Sequence, residues 1–517
     1  MARKFICTKT EPIVQTKAGK LRGFILDGTY IFHGIKYANA KRFRQPTPVE
    51  PWEGVKDALA YGYVCPLLKQ DEPNNEVMIP HRYWPMDENC QYLNIWTQSV
   101  DSTAKKPVMV WLHGGGFAAG SSIEQVAYDG ENLSRYGDVV VVTLNHRLNI
   151  LGYLDLSPFG AEYANSANAG NADIVAALQW IQDNIASFGG DPGNVTIFGQ
   201  SGGGRKVWSL MQTPAADGLF HKGIVQSTMF TSYFNDPDTD GTAIVNAMMA
   251  ELGITDVKEL ETVPYPLMAD AYNKVSPGVR ASGHYIGNKP MPNDWYVGDP
   301  LVVGFTEHAT KVPVMIGTTL GEFSFMPALD PAIKDDPAAI DACIRKHYGD
   351  HAEQMKAMFT EAFPDKHISE LLYLDSIHRV PMIEFVKLYA KKQESPIFTY
   401  QFTYTLPYDG GHVAWHCAEI PYAFHNTDLV PVCQEEGVTE RLEQQICDAW
   451  VNFARYGAPS SDALPQWPRC TEDTEYCMIF DKVSEIRCNH DHEIVKRHLE
   501  INPGTFRLGN EENKVQH

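Results

Sequence analysis

The sequence predicts an α/β fold, a mostly parallel central sheet flanked by helices, and three observations carry that expectation. Short β-rich runs that are apolar throughout recur along the chain, as strands buried on both faces must be. Amphipathic stretches at helical spacing lie between them, and glycines mark the points where one pattern gives way to the next.

Residues up to about Cys90 read as short strands and loops. Pro107 to Leu112 and Asp138 to Thr143 are the first two buried strands. Asp173 to Phe188 carries Ile174, Ala177, Leu178, Ile181 and Ile185 at helical spacing and stops at Gly189-Gly190. Asn194 to Phe198 is a third strand, followed through Gly199–Gly203 by a helix-compatible stretch, Arg205 to Met211. Gly223 to Gln226 and Val312 to Ile316 complete the strand set. Residues 240–275 and 337–392 look helical with no strand between their helices, as insertions that wall a site do. Thr439 to Tyr456 repeats Leu442, Ile446, Ala449, Trp450 and Phe453 and ends at Gly457, so the late part of the chain folds too.

The chain has 517 residues, of which 44% are hydrophobic and 21% charged, enough apolar material for a sizeable core. At roughly 150 residues per domain the length alone leaves the domain count open. Lys plus Arg number 43 and Asp plus Glu 64, a net charge of −21 that disfavours nucleic acid and anionic lipid as partners. No apolar run is long enough to span a membrane or to serve as a secretory signal. Ten cysteines in such a length are not a disulfide scaffold, and a cytoplasmic location is expected.

Gly199-Gln200-Ser201-Gly202-Gly203 sits where a strand turns into a helix. A serine there, flanked by residues small enough for strand and helix to approach, is the nucleophile elbow; elsewhere such glycine-rich turns are merely structural. His113-Gly114-Gly115-Gly116-Phe117 ends another strand, and glycines at that place let backbone N–H groups point into a site, as an oxyanion hole requires. The Gly-Lys-Ser/Thr ending of a phosphate loop is missing. A serine nucleophile needs a base and an orienting acid. Glu322 follows the strand Val312–Ile316; His416 and His412 are both candidate bases, and spacing does not choose between them.

With those residues in place the chain resembles the type-B carboxylesterases, which include para-nitrobenzyl esterases and cholinesterases, within the α/β-hydrolase fold. The resemblance runs from Ala18–Gly23 through Glu88–Trp96, the glycine triplet, Asn145–Leu148, Phe188–Pro192 and the elbow to Asp448–Phe453. It implies one large domain over residues 1–517, with helical insertions at 240–310 and 330–392 walling an active-site gorge. It implies Ser201, Glu322 and His416 as the triad and Gly115, Gly116 and Gly202 as oxyanion donors. The expected activity is hydrolysis of small neutral, or cationic, carboxylic esters through an acyl-enzyme; amide, thioester or lactone hydrolysis by the same triad is the alternative. A non-catalytic binding or adhesion protein of this fold would lack a triad residue, and this chain lacks none.

The family usually has Glu-Ser-Ala at the elbow, where this chain has Gln200-Ser201-Gly202. Gln200 removes a charge beside the nucleophile, so a choline esterase is not expected. Cys65 and Cys90 match a disulfide of secreted relatives; a cytoplasmic location favours two thiols. Phe117, Trp208, Met229 and Phe230 are candidate pocket walls, and Ser227 is a candidate support for the triad. Cys488–His492 has metal-ligand residue types without paired spacing and reads as a solvated loop. No metal or cofactor is called for. The partner expected is a small-molecule ester, and monomer and homodimer are both left open. Four Lys- and Arg-free runs, 148–204, 223–257, 312–333 and 393–440, hold nineteen acids together with the triad, which predicts a negative gorge mouth.

Overall fold

The computed structural model describes residues 3–69, 79–230, 239–324 and 334–503. Twelve strands form one sheet, and in chain order they are β1 (Phe5–Ile6), β2 (Phe24–Leu26), β3 (Thr29–Lys36), β4 (Tyr92–Thr97), β5 (Lys106–Leu112), β6 (Val140–Leu144), β7 (Gly190–Gln200), β8 (Lys222–Gln226), β9 (Val314–Thr319), β10 (Ile397–Phe402), β11 (Tyr476–Phe480) and β12 (Glu485–Cys488). The spatial order is β1-β2-β3-β4-β6-β5-β7-β8-β9-β10-β11-β12. Every pairing from β6 to β11 is parallel, and the flanking pairings are antiparallel.

The apolar runs occupy the middle of this sheet because both faces are covered. β5, β6 and β8 are buried along almost their whole length. One face packs Ile174, Ile181, Val207 and Phe385 over Val110, Ile197 and Ile316. The other carries Trp450, Phe453 and Phe424 over Trp111, Phe198 and Met315. Trp111 meets Phe198 and Phe424 edge-on, with ring centroids 5.0 Å apart in each case.

The expected helices form, over Ala169–Asn184, Gly202–Met211 and Thr439–Tyr456. Residues 240–310 hold helices Thr242–Leu252 and Tyr265–Ala281, and the later insertion holds Pro337–Tyr348, Ala352–Ala362 and Arg379–Ala390. The first four residues of the 330–392 segment lie outside the described residues, as do the ends of 1–517. β10 and β11 were not singled out by their sequence, since Ile397-Phe-Thr-Tyr-Gln-Phe402 and Tyr476-Cys-Met-Ile-Phe480 lack the aliphatic uniformity of the inner strands. Among the described residues no helix is long and apolar enough to cross a membrane. Cys65 and Cys90 are free thiols, and burial with Cys65 beside it pushes the Cys90 thiol well above its usual range.

One sequence reading is overturned. Cys488 and Asn489 are exposed, but the stretch Cys488–His492 is not a solvated loop throughout: Asp491 is fully buried and paired with Arg379, and His492 opens the helix His492–Ile501. The Arg379 guanidinium is shared by two carboxylates, with both Glu475 oxygens at 2.8 Å and both Asp491 oxygens at 2.7 Å. A guanidinium without solvent needs that much counter-charge, which fixes the sequence-remote acids beside it.

Candidate active site

Ser201 closes β7 and caps the helix Gly202–Met211 with φ 58° and ψ −122°. A non-glycine residue rarely adopts this conformation, and holding it costs on the order of 1–3 kcal/mol. The neighbours make it possible. The Ser201 N–H donates to the Gln226 carbonyl at 2.8 Å, and the Arg205 N–H donates to the Ser201 carbonyl at 3.0 Å. A Cβ on Gly203 would stand 1.9 Å from the Leu112 carbonyl oxygen, so only glycine lets the helix start this close to β5.

The glycine loop that leaves β5 lies over the same turn. Gly115 and Gly116 have φ of 82° and 63°, in the left-handed region, and a Cβ on Gly114 would be 3.5 Å from the Ser201 Cβ. Beneath the loop the buried Lys206 ammonium donates to the His113 carbonyl at 2.8 Å. Burial brings Lys206 down to about 7, with Glu124 nearby opposing that fall, and desolvation brings Glu124 up to about 7 against the pull of Lys206. The loop therefore starts from a carbonyl gripped by an inward-facing lysine.

The acid and the base come from the loops after β9 and β10. These loops are zipped by backbone bonds from Gly321 N–H to the Ala414 carbonyl at 3.0 Å and from His416 N–H to the Glu322 carbonyl at 2.9 Å. His416 Nδ1 lies 2.5 Å from Glu322 Oε2, while Glu322 Oε1 accepts the Thr319 N–H at 2.9 Å. His412 is spent elsewhere, on the Val413 carbonyl and against the Trp415 ring. The geometry thus selects His416 for contact with Glu322. Its neighbour Cys417 donates its thiol to Gln200 Oε1 at 3.1 Å, which joins the histidine loop to the elbow one residue from Ser201.

Electrostatics hold Glu322 ionised. Burial alone would raise its pKa, but His378, His416 and the Thr319 N–H overcome that and bring it to about 2. On its other side Glu419 is raised to about 7 by burial and by the Glu322 charge; Gln226 and Tyr400 donate to it. Neither His378 nor Glu419 was singled out from the sequence. Asp375, three residues before His378, was the available signal, since an Asp at that spacing opens a helix.

The remaining candidates are dispersed around this centre. Phe117 is buried against Tyr153, with the Arg205 guanidinium 4.9 Å above its ring. Trp208 and Phe230 stack at 5.5 Å inside the core, and Met229 is half-buried beside them in sequence. Ser227 is buried with φ 44°, and its N–H donates to the Gly317 carbonyl. Its hydroxyl meets no partner among the described residues, so it does not join the hydrogen bonds of Glu322 and His416. Among the described residues two groups carry metal-ligand chemistry, Glu322 with His378 and His416, and Glu475 with Asp491 and His492. Their donor atoms are already engaged: His416 with Glu322, His378 with Asp375, Asp491 with Arg379 and His492 with Glu475.

A serine strained at a strand-to-helix elbow, with an acid and a histidine on the loops after two later strands of a mostly parallel sheet, defines an α/β-hydrolase. The chain belongs to the carboxylesterase family, whose model matches residues 10–496. It is 32% identical to the para-nitrobenzyl esterase of Bacillus subtilis (strain 168) over 502 residues, covering 94% of this chain and 98% of that protein. It is also 32% identical to phenmedipham hydrolase of Pseudarthrobacter oxydans, covering 92% and 97%. Among solved structures, an esterase from anaerobic Clostridium hathewayi, described as able to hydrolyse aliphatic aromatic polyesters, superposes with a TM-score of 0.94 at 52% identity, covering 97% of this chain and 100% of that one. The protein is an esterase that acts on carboxylic esters.

Proposed function

We propose that Ser201 is the nucleophile, His416 its general base and Glu322 the acid that orients the base. The observation that carries this reading is the 2.5 Å contact between His416 Nδ1 and Glu322 Oε2 on a loop tied to the elbow through Cys417 and Gln200. His416 takes the Ser201 proton as Oγ attacks the ester carbonyl, and the imidazolium then protonates the leaving alcohol. Water activated by the same histidine releases the acid from the acyl-enzyme. The N–H groups of Gly115, Gly116 and Gly202 receive the oxyanion at the positive end of the helix Gly202–Met211.

The substrates are neutral or cationic esters with small acyl groups, and the 52% identity to a polyester-hydrolysing esterase extends them to short aliphatic–aromatic ester oligomers. Acids retained in the Lys- and Arg-free runs around the triad support a negative approach that disfavours anionic esters. Ten unbonded cysteines support a reducing, cytoplasmic location. The deciding experiment compares Ser201→Ala with wild type on p-nitrophenyl butyrate and with a fluorophosphonate probe. Loss of both turnover and labelling is expected; equal rates would end the serine-hydrolase reading.

A further inference from the structure

Resting on the triad just described, we propose that His378 is a positioning residue: a buried imidazolium, held between Asp375 and Glu322, that keeps the Glu322 carboxylate ionised and set against His416. The residue is 1% exposed and stands at the start of the helix Arg379–Ala390. One ring nitrogen of His378, one carboxylate oxygen of Glu322 and one ring nitrogen of His416 lie within 4.8 Å of one another. The two rings are 5.3 Å apart, and Phe323 covers both, 5.6 Å from His378 and 6.4 Å from His416.

On its other side His378 Nδ1 is 3.3 Å from Asp375 Oδ1. Asp375 is itself immobilised, accepting the N–H groups of Ile377, His378 and Arg379 at 3.0–3.2 Å. The next residue, Arg379, is locked by Glu475 and Asp491, so the backbone that presents His378 cannot drift.

The charged groups around His378 come from every side. Glu322 and His416 face it from the loops after β9 and β10, and Asp375 from the segment before its own helix. Arg379 follows it with both counter-charges in place, His498 of the last helix lies near Asp375, and Glu419 lies beyond Glu322. Burial and the helix N-terminus both disfavour a cation at His378, yet two carboxylates share one ring, and together they hold its pKa above the ordinary histidine value. A carboxylate buried among neutral groups would take up a proton and lose its hold on His416; the His378 charge prevents that.

The test is the pH profile of kcat/KM on a neutral p-nitrophenyl ester for wild type, His378→Gln and Asp375→Asn. Without the cation Glu322 loses part of what holds it ionised and is protonated at higher pH, so the acid limb should move up by about 1 pH unit. The plateau kcat should fall about 10-fold through looser alignment of the base. Asp375→Asn keeps the helix-capping oxygen while weakening the imidazolium, and should move the limb the same way. It decides the matter if His378→Gln does not fold. A folded variant whose acid limb stays at the wild-type position overturns the proposal, because a merely structural histidine would alter stability and leave that limb in place. An active Ser201→Ala would instead overturn the triad reading.

Discussion

Gly202 and Gly116 meet backbone to backbone: a Cβ on residue 202 would stand 2.2 Å from the Gly116 carbonyl oxygen and 2.4 Å from its nitrogen. The family usually carries alanine at this place, so in this chain the glycine loop sits closer to the elbow than a methyl group allows. Gly202→Ala should push the loop outward and lower kcat by about 100-fold, the scale of losing one oxyanion donor. Steady-state kinetics beside a thermal melt check this, with the loss expected in kcat while the fold is retained.

Lys206 fixes the first carbonyl of that loop from beneath. Lys206→Met removes the bond to the His113 carbonyl at 2.8 Å, and the slackened loop should cost about 10- to 100-fold in kcat. Binding of a ground-state ester analogue should be nearly unchanged, which separates loop placement from pocket damage.

Gln200 leaves the elbow uncharged. Gln200→Glu restores a carboxylate one residue from the nucleophile and should improve kcat/KM for an acylcholine relative to its neutral 3,3-dimethylbutyl isostere by about 10-fold. The ratio of the two specificity constants is the measurement, and an unchanged ratio would remove Gln200 as a determinant of charge preference.

Arg379 links the triad's surroundings to acid stability. Burial works against ionisation of Glu475, but Arg379 and His492 hold it at about 2, below its ordinary 4.5; Asp491 is held lower than usual by Arg379 in the same way. The native state therefore binds fewer protons than the unfolded chain in this range. The stabilisation is complete above about pH 4.5 and is lost as pH falls towards 2. Arg379→Met should cost about 3–5 kcal/mol at pH 7 and flatten this pH dependence, as urea titrations at pH 7 and pH 3 would show.

The parts of the fold that depend on local pattern were readable from sequence. Asp138 to Thr143 and Thr439 to Tyr456 carry their period within a few turns, and the Ser201 elbow is a contiguous motif whose glycines have a steric reason. Glu322 was legible because it follows a buried strand. Spacing did not choose His416 over His412, and only the family resemblance did, because the choice turns on which ring reaches Glu322 across two zipped loops. His378 was hard to read for the same reason: beyond Asp375 three residues before it, what marks it is the Glu322 carboxylate, far away in sequence. The apparent polarity of Cys488–His492 misled because the countercharge that buries Asp491 is Arg379, more than a hundred residues earlier.

That clamp sets the order in which a newly made molecule can be completed. When a ribosome has delivered His416, every member of the proposed triad already exists in the chain. The guanidinium that anchors the neighbouring helix still lacks both of its carboxylates, because Glu475 and Asp491 have not yet been synthesised. Translation must pass residue 491 before the surroundings of Glu322 and His416 can set, and a chain stopped short of that point lacks both partners of Arg379.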